Sequence, residues 1–200
     1  MICTYRNLGS DAWTYPYSIG VHLEVLTQAT PVPVLVMPFT GDESIASREK
    51  KRPQAVMVVT DHLTGDHRLV NTGVKYTEPS GILHLTHVED EKWFRHYMSV
   101  IKKIPAIESE TARDRIGQQL LKEPRDYIES ARSVLEEQGL NLRIAEVVVM
   151  GDELSMYRDI VESKEIDLIV LNTKDENQRA MNGLAYGMAV ELRHVPMLML

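Results

Sequence analysis

Histidine and carboxylate residues follow two apolar segments of the sequence, at the points where these segments end. The first group comprises His62, Asp66 and His67, and the second comprises His87, Glu89 and Asp90. Imidazole and carboxylate groups are ligands that Zn²⁺ and Mn²⁺ take in proteins, and such a metal can activate water. The spacing matches no standard metal motif, so capping and packing are the favoured roles. A metal-dependent hydrolase built on His62, His87 and Asp90 is the alternative.

The sequence offers little for nucleophilic catalysis. Cys3 is the single cysteine, which excludes an internal disulfide framework and a cysteine-rich zinc site. No serine lies in a Gly-x-Ser-x-Gly turn of the kind that presents a catalytic hydroxyl. We therefore expect a protein that is not an enzyme.

The composition is that of an acidic globular chain. The 200 residues are 44% hydrophobic and carry a formal net charge of −7 at pH 7. An acidic surface repels the phosphate backbone, so we expect no nucleic-acid partner. No segment approaches the roughly 18 apolar residues of a membrane helix, and the first residues lack the features of a secretory signal. The expected location is the cytoplasm, with no membrane partner.

Five continuous apolar runs predict the strands of the fold. Such runs are typical of strands buried on both faces of a parallel sheet, and they span residues 55–61, 81–88, 142–150, 167–171 and 196–200. Helical spacing of apolar residues predicts helices over residues 67–76, 108–138, 155–164 and 183–193. Pro124 is expected to kink or restart the long helix, and Gly139 to cap its end. Strands that alternate with helices indicate a parallel sheet built of βαβ units.

Two further groups of residues accompany the second strand. His84 alternates with Leu85 and is expected to pack against a helix. Trp93, Phe94 and Tyr97 follow in a segment longer than a minimal crossover, where core packing is the favoured role and a cover for a ligand crevice or a subunit contact is the alternative.

Residues 1–54 do not follow the pattern of an independent domain. They contain a strand-like start, an apolar helix and an apolar strand from Val32 to Met37, and the end of the chain repeats this order. Setting Ile2 on Ile169 also places Gly20 on Gly187 and Glu24 on Glu191 without a gap. After a gap of a few residues the two Val-Pro strands match, which suggests an internal repeat.

The segment from Val56 to Leu200 resembles the universal stress protein (UspA-like) family. The resemblance rests on five motifs in the order of that family: Val58-Val59-Thr60-Asp61, Leu85-Thr86-His87-Val88, Val149-Met150-Gly151-Asp152, Asp167-Leu168-Ile169-Val170 and Val195-Pro196-Met197-Leu198. It covers about three quarters of the chain.

The resemblance implies a Rossmann-like α/β fold of the adenine nucleotide alpha hydrolase type. An open parallel five-stranded sheet would be flanked by helices and preceded by an extra N-terminal helix–strand unit. Residues 1–38 would be the C-terminal remnant of a preceding copy, residues 39–54 a linker, and residues 55–200 the stress-protein-like domain. The last strands of two copies pair in that family, so we expect the strand from Val32 to Met37 to pack beside the strand from Pro196 to Leu200, or each to pair with another chain. A homodimer through these strands is the expected assembly.

The resemblance also locates an adenine-nucleotide site and suggests that it is degenerate. Two glycine positions of the family's phosphate loop fall on Asn172 and Asp175, and only Gly183 remains near the third. Glycines let backbone N–H groups approach phosphates closely, whereas a carboxylate repels them. Asp61 and Val88 match the adenosine end of the site, although Asp61 serves equally well as a cap.

The favoured function is a regulatory or interaction module of the stress response that carries out no catalysis. The first alternative is a stress protein that binds AMP or ATP with weak or no hydrolysis, using these five positions. The metal-dependent hydrolase is the second alternative. No cofactor is required by the favoured interpretation.

Overall fold

The computed structural model describes residues 1–7, 17–38, 52–60, 67–105, 108–140, 142–174 and 180–200. The strands and helices in these residues follow the order β1 (Ile2–Tyr5), α1 (Val21–Ala29), β2 (Val34–Met37), β3 (Ala55–Val59), α2 (His67–Tyr76), β4 (Ile82–Asp90), α3 (Glu91–Ile101), α4 (Ser109–Glu137), β5 (Arg143–Gly151), α5 (Glu153–Ser163), β6 (Leu168–Leu171), α6 (Gly183–Glu191) and β7 (Met197–Met199).

The strands form one sheet in the order β1-β2-β7-β6-β3-β4-β5. The last five strands in this order pair in parallel, which confirms the predicted α/β sheet. The N-terminal unit is part of the same sheet, because its strands β1 and β2 extend the predicted five strands to seven. The sheet is mixed, since β2 pairs with β7 in antiparallel fashion.

Both faces of the sheet are covered by apolar side chains that alternate along each strand. On one face, Met57 and Ile169 belong to a core that includes residues of α1, α5 and α6. On the opposite face, Val58 and Val170 belong to a core that includes residues of α2 and α4. The continuous apolar runs of the sequence follow from this burial on two faces.

The first and last β–α–β units of the chain repeat the same arrangement about an approximate two-fold axis. In β1–α1–β2 the amide of Ile2 donates to the Pro33 carbonyl at 2.9 Å, and in β6–α6–β7 the amide of Ile169 donates to Pro196 at 3.0 Å. The axis passes through the antiparallel β2–β7 pair, where Leu35 lies opposite Leu198. This geometry supports the match of Ile2 with Ile169.

The ungapped continuation of that match is wrong. Gly20 directly precedes α1, at the N-cap position, whereas Gly187 lies in the middle of α6. Glu24 is in the first turn of α1, whereas Glu191 is the last residue of α6. The counterpart of Gly20 in the repeat is the N-cap Asn182, because the loops that lead into the two helices differ in length.

The long crossover from β4 to β5 differs from its prediction in two respects. An additional helix, α3, begins directly after β4, and α4 runs through Pro124 without restarting. Tertiary packing of α4 on β5 offsets the hydrogen bond that proline removes. The expected end of α4 is confirmed, because Gly139 follows the C-cap Gln138 and adopts φ 74°, a left-handed conformation that glycine favours.

The two strands that were expected to pack side by side, β2 and β7, pair with each other within a single chain. β2 pairs with β1 on one edge and with β7 on the other, and β7 pairs with β2 and β6. A second chain therefore finds no open backbone edge on either strand, and the homodimer stays a prediction. No helix in the described ranges combines the length and the apolar character that a membrane span requires.

Gly73 allows α2 to lie close against the sheet. A methyl group at this position would lie 2.4 Å from Val58 Cγ2 and 2.9 Å from Leu83 Cδ1. Because both side chains are buried, we expect Gly73→Ala to lose about 1–3 kcal/mol to overpacking, more than alanine gains in helix propensity. Urea denaturation measures the change. Gly183→Ala is the control, since nothing lies within 4 Å of its added methyl, and equal stability of both variants would contradict the prediction.

Candidate functional site

The carboxyl ends of β3, β4 and β6 meet at one edge of the sheet. The chain proceeds from β3 to β4 and β5 on one side and returns to β6 and β7 on the other. Open α/β sheets bind ligands at such a change of direction. Val88, Asn172 and Gly183 lie at or beside this edge. Asp61, His62 and Asp175 lie outside the described residues.

The His87 side chain of β4 forms a hydrogen bond with the backbone directly after β3. Its side chain is buried, and Nδ1 lies 2.7 Å from the carbonyl oxygen of Thr60. Because a carbonyl only accepts, Nδ1 carries a proton and donates it. Nε2 lies 3.4 Å from Glu89 Oε2. Thr60 also donates from its amide and its hydroxyl to the Thr86 carbonyl, at 2.9 and 3.0 Å. These bonds hold the backbone directly before Asp61.

The proposed metal ligands on β4 do not face the same way. His87 and Asp90 are separated by three positions in one strand, so their side chains leave opposite faces of the sheet. Asp90 is the N-cap of α3, and its Oδ1 accepts from the Lys92 amide at 2.7 Å. Within the described ranges, no group of three histidine, cysteine or carboxylate residues could hold a metal ion. The role of His62 is untested.

Val88 lies in the part of β4 that still pairs with β5 but no longer pairs with β3. The ladder with β3 ends at Val59 and Thr86, whereas the ladder with β5 continues through Val88 and Val149. The Val88 side chain is buried in the core beneath α5 and α6. Its backbone therefore lies beyond the paired part of β3, at the position where the family resemblance locates the adenine.

The loop between β6 and α6 is closed at its base. The amide of Asn182 donates to the Thr173 carbonyl at 2.8 Å, and the amide of Thr173 donates to Leu200 at 3.1 Å. Asn172 follows β6 directly and is half-buried. Gly183 is the first residue of α6 and is exposed, with open space where a side chain would extend.

The N-terminus of α6 already has an acceptor from its own chain. Asn182 Oδ1 accepts from the Ala185 amide at 2.7 Å. The free N–H groups of a helix start are the ones that bind phosphate, and a capping side chain takes one of them. The sequence interpretation missed Asn182, although an asparagine before an apolar helix is a recognised start signal.

Asp152 links the starts of two helices beyond β5. Its carboxylate caps α5 by accepting from Ser155 and lies 3.1 Å from Lys92 Nζ, near the start of α3. Hydrogen bonds from the Ser155 hydroxyl and then from Lys92 lower the pKa of Asp152 to about 2. This acidic residue of the third motif therefore positions helices.

A cavity of about 280 Å³ opens at the carboxyl ends of β6 and β7, beside the end of α1. In the first copy of the repeated unit, the Arg6 guanidinium fills the equivalent place, where it donates to carbonyls at the end of α6. Thr173 stands at the position equivalent to Arg6 and is shorter. Lys174 lines the cavity and donates to the Gln28 carbonyl at 3.1 Å, so it caps α1 as Arg6 caps α6.

Neither a family model nor a curated protein sequence matches the chain. Solved structures do match it. Hypothetical protein MJ0577, a test case of structural genomics whose biochemical function was assigned from its structure, is 14% identical with a TM-score of 0.59, and the match covers 75% of this chain and 96% of that one. A putative universal stress protein from Pseudomonas aeruginosa UCBPP-PA14 is 15% identical with a TM-score of 0.53.

The match with the Pseudomonas protein covers 100% of this chain and 62% of the other, so this chain spans less than two thirds of its length. The same coverage holds for the functionally unknown protein PA1789 from Pseudomonas aeruginosa PAO1, which is 13% identical with a TM-score of 0.52. These structural matches show that the chain has the Rossmann-like α/β fold of universal-stress-protein-like structures.

Proposed function

We propose that this chain is a universal-stress-protein-like regulatory or interaction module of the stress response that works without catalysis. The observation that carries the proposal is the state of the loop between β6 and α6. Its glycine positions hold Asn172 and Asp175, and Asn182 occupies an amide at the start of α6. A phosphate cradle needs those amides and positive electrostatics, so the loop is unsuited to a triphosphate.

A stress protein that binds AMP or ATP is the second candidate. Two observations favour it: Val88 lies beyond the paired part of β3, and the strand ends meet at the change of direction in the sheet. An adenosine compound with few phosphates would make the least use of the altered loop. Asp61 would lie at the adenosine end of the site in this alternative, by resemblance to the family.

Incubation with ATP and Mg²⁺, followed by nucleotide analysis of the protein-bound fraction, separates the two candidates. We expect substoichiometric nucleotide and no rise in the melting temperature with ATP or AMP. Stoichiometric ATP or AMP would overturn the proposal and favour the nucleotide binder. Asn172→Gly combined with Asp175→Gly is the matched variant, since binding that appears only there would assign the loss to these two positions.

The proposal includes the origin and assembly of the chain. Residues 1–38 would derive from a preceding copy of the same fold, joined by residues 39–54 to the domain over residues 55–200. The β–α–β unit repeated at the beginning and the end of the chain supports this origin, as do the two longer Pseudomonas structures that align with the whole chain. We further propose a cytoplasmic homodimer, which sedimentation at micromolar concentration would test.

A further inference from the structure

The helix α3 presents an apolar stripe to the surrounding solvent. Its members follow the helical spacing of four, three and four residues, and their exposed fractions are 59% for Trp93, 56% for Tyr97, 47% for Val100 and 43% for Ile104. Ile104 lies one turn beyond the end of α3, and its amide donates to Ile101. We call these four residues the α3 stripe.

The stripe is additional to the packing face of the helix. Phe94 and Met98, on a different side of α3, are buried. The core therefore explains those residues and leaves the α3 stripe unexplained. Large apolar side chains that cluster on the surface of a soluble protein often belong to an interaction site.

The aromatic members of the stripe are held together. The rings of Trp93 and Tyr97 have centroids 6.2 Å apart, and the ring of His96 meets that of Trp93 edge-on at 6.0 Å. Tryptophan and tyrosine dominate the binding energy of protein interfaces because they bury much area at little cost in conformational entropy. The cluster has the composition of such an anchor.

The residues around the α3 stripe include several cations, whereas the whole chain is acidic. Residues 91–105 contain four cations, of which Lys92 pairs with Asp152 and Arg95 with Glu91. Lys102 and Lys103 follow Val100 and precede Ile104 in the α3 stripe, while the chain carries −7. A groove of about 340 Å³ between α3 and α4 adds Arg113 and Arg125 beside Phe94 and Leu121, with Asp114 as its acidic member. Local positive charge around an apolar stripe is complementary to an acidic, amphipathic partner.

We propose that the α3 stripe is a docking site for an acidic amphipathic helix of a partner protein. The partner's apolar face would cover Trp93 and Tyr97, and its carboxylates would face Lys102 and Lys103, a mode in which one helix lies along another. A protein partner is favoured over an anionic membrane, because the groove between α3 and α4 is concave and suits a helix rather than the flat surface of a bilayer. The proposal rests on the function proposed above and names the docking surface of that module.

The test uses the full chain and two synthetic peptides. One peptide is a labelled 20-residue amphipathic helix of leucine, alanine and glutamate, and the other has lysine at every glutamate position. Fluorescence anisotropy should show saturable binding of the acidic peptide alone, weakened by added salt. Trp93→Ser with Tyr97→Ser, and separately Lys102→Glu with Lys103→Glu, should each weaken binding at least tenfold.

The controls are equally exposed residues away from α3. Val25→Ser removes an apolar side chain from α1 that is 55% exposed, and Lys75→Glu reverses a charge on α2. Both should bind within twofold of the parent. Equal binding of the two peptides, no binding of either, or no loss in the α3 variants would overturn the proposal.

Two further measurements decide between occupants. If the α3 variants abolish binding to vesicles with anionic lipid, or abolish self-association in sedimentation, while the acidic peptide fails to bind, the occupant is a membrane or a second copy and the proposal is wrong. Nucleotide bound at the sheet edge would overturn the proposed function without changing the peptide titration, so the two failures are distinguishable.

Discussion

Replacing Arg6 by methionine is expected to lower the free energy of unfolding by about 3 kcal/mol, because each hydrogen bond from a charged donor contributes about 1.5–3 kcal/mol. Arg6 is 7% exposed, and its guanidinium donates to three carbonyls at the end of α6: Nε to Ala189, Nη1 to Arg193 at 3.1 Å and Nη2 to Leu192 at 3.3 Å. Methionine fills similar space but removes the charged donor from all three carbonyls, of which Leu192 keeps only a 3.4 Å contact from the Val195 amide. The midpoint of urea denaturation, at constant slope, measures the loss.

The charge of Arg6 matters because it lies at the negative end of a helix. Burial, and then the nearby Arg193, lower the pKa of Arg6 to about 10, so the guanidinium remains charged at neutral pH. The carbonyls at the end of α6 have no partners within the helix, and a cation there is favourable. Arg6 thus ties the end of β1 to the last helix of the chain.

Arg158→Met is the matched control for this prediction. Arg158 also contacts α6, through Glu191 at 3.9 Å, but both side chains are more than 40% exposed. An exposed pair of this kind contributes at most about 1 kcal/mol. A loss at Arg6→Met no larger than at Arg158→Met would show that the buried cap does not stabilise the fold.

Replacing His84 by leucine is expected to raise the free energy of unfolding at pH 7 by about 1–3 kcal/mol. His84 is 5% exposed in the middle of β4, and neither ring nitrogen has a hydrogen-bond partner. A buried polar group without a partner costs its desolvation energy, which an apolar side chain of similar size avoids. This position also confirms the expectation that His84 packs on the face opposite Leu85.

The same substitution should flatten the pH dependence of stability. Burial, then Lys164 and Arg143, lower the pKa of His84 from its ordinary value of 6.5. Below pH 6.5 the unfolded chain therefore takes up a proton that the folded chain does not, so stability falls as the pH drops towards the lowered pKa. The slope is at most about 1.4 kcal/mol per pH unit.

Urea denaturation at intervals from pH 7.5 to 5 compares the parent with two variants. His84→Leu should lose this slope, and His194→Leu, which changes an exposed histidine, should keep it. If His84→Leu retained the parent's slope, another group would be responsible for the acid sensitivity.

Much of the architecture could be predicted because local patterns carry it. Runs such as Ala55–Val59 and Leu168–Leu171 are apolar at every position, which only strands buried on both faces require. The helix His67–Tyr76 was predicted with its observed bounds, since its apolar residues keep helical spacing. Gly139 marked the end of α4 because a left-handed residue there is a property of the backbone alone.

The helix α3 was missed because its pattern is ambiguous. Apolar residues lie on both its buried side and its exposed side, so Trp93, Phe94 and Tyr97 were all assigned to core packing. That interpretation is correct for Phe94 and wrong for Trp93 and Tyr97. Which side of a doubly apolar helix is buried depends on the elements that lie against it.

The candidate site was predicted in location more than in detail. The strand ends at the change of direction follow from the order of elements, but the opposite directions of His87 and Asp90 depend on β4 continuing as one strand through both residues. The capping of α6 by Asn182 and the closure of the loop at Thr173 depend on hydrogen bonds between residues that are distant in the sequence or in a loop without periodicity.

Arg6 shows most clearly where sequence patterns stop being informative. Local spacing identified the strand before it and the helix that it caps, 183 residues away, as separate elements. Their meeting required the antiparallel pairing of β2 with β7, which places the end of β1 beside the end of α6. Apolar periodicity reports which face of an element is buried, whereas the partner across a sheet depends on long-range packing that no single segment encodes.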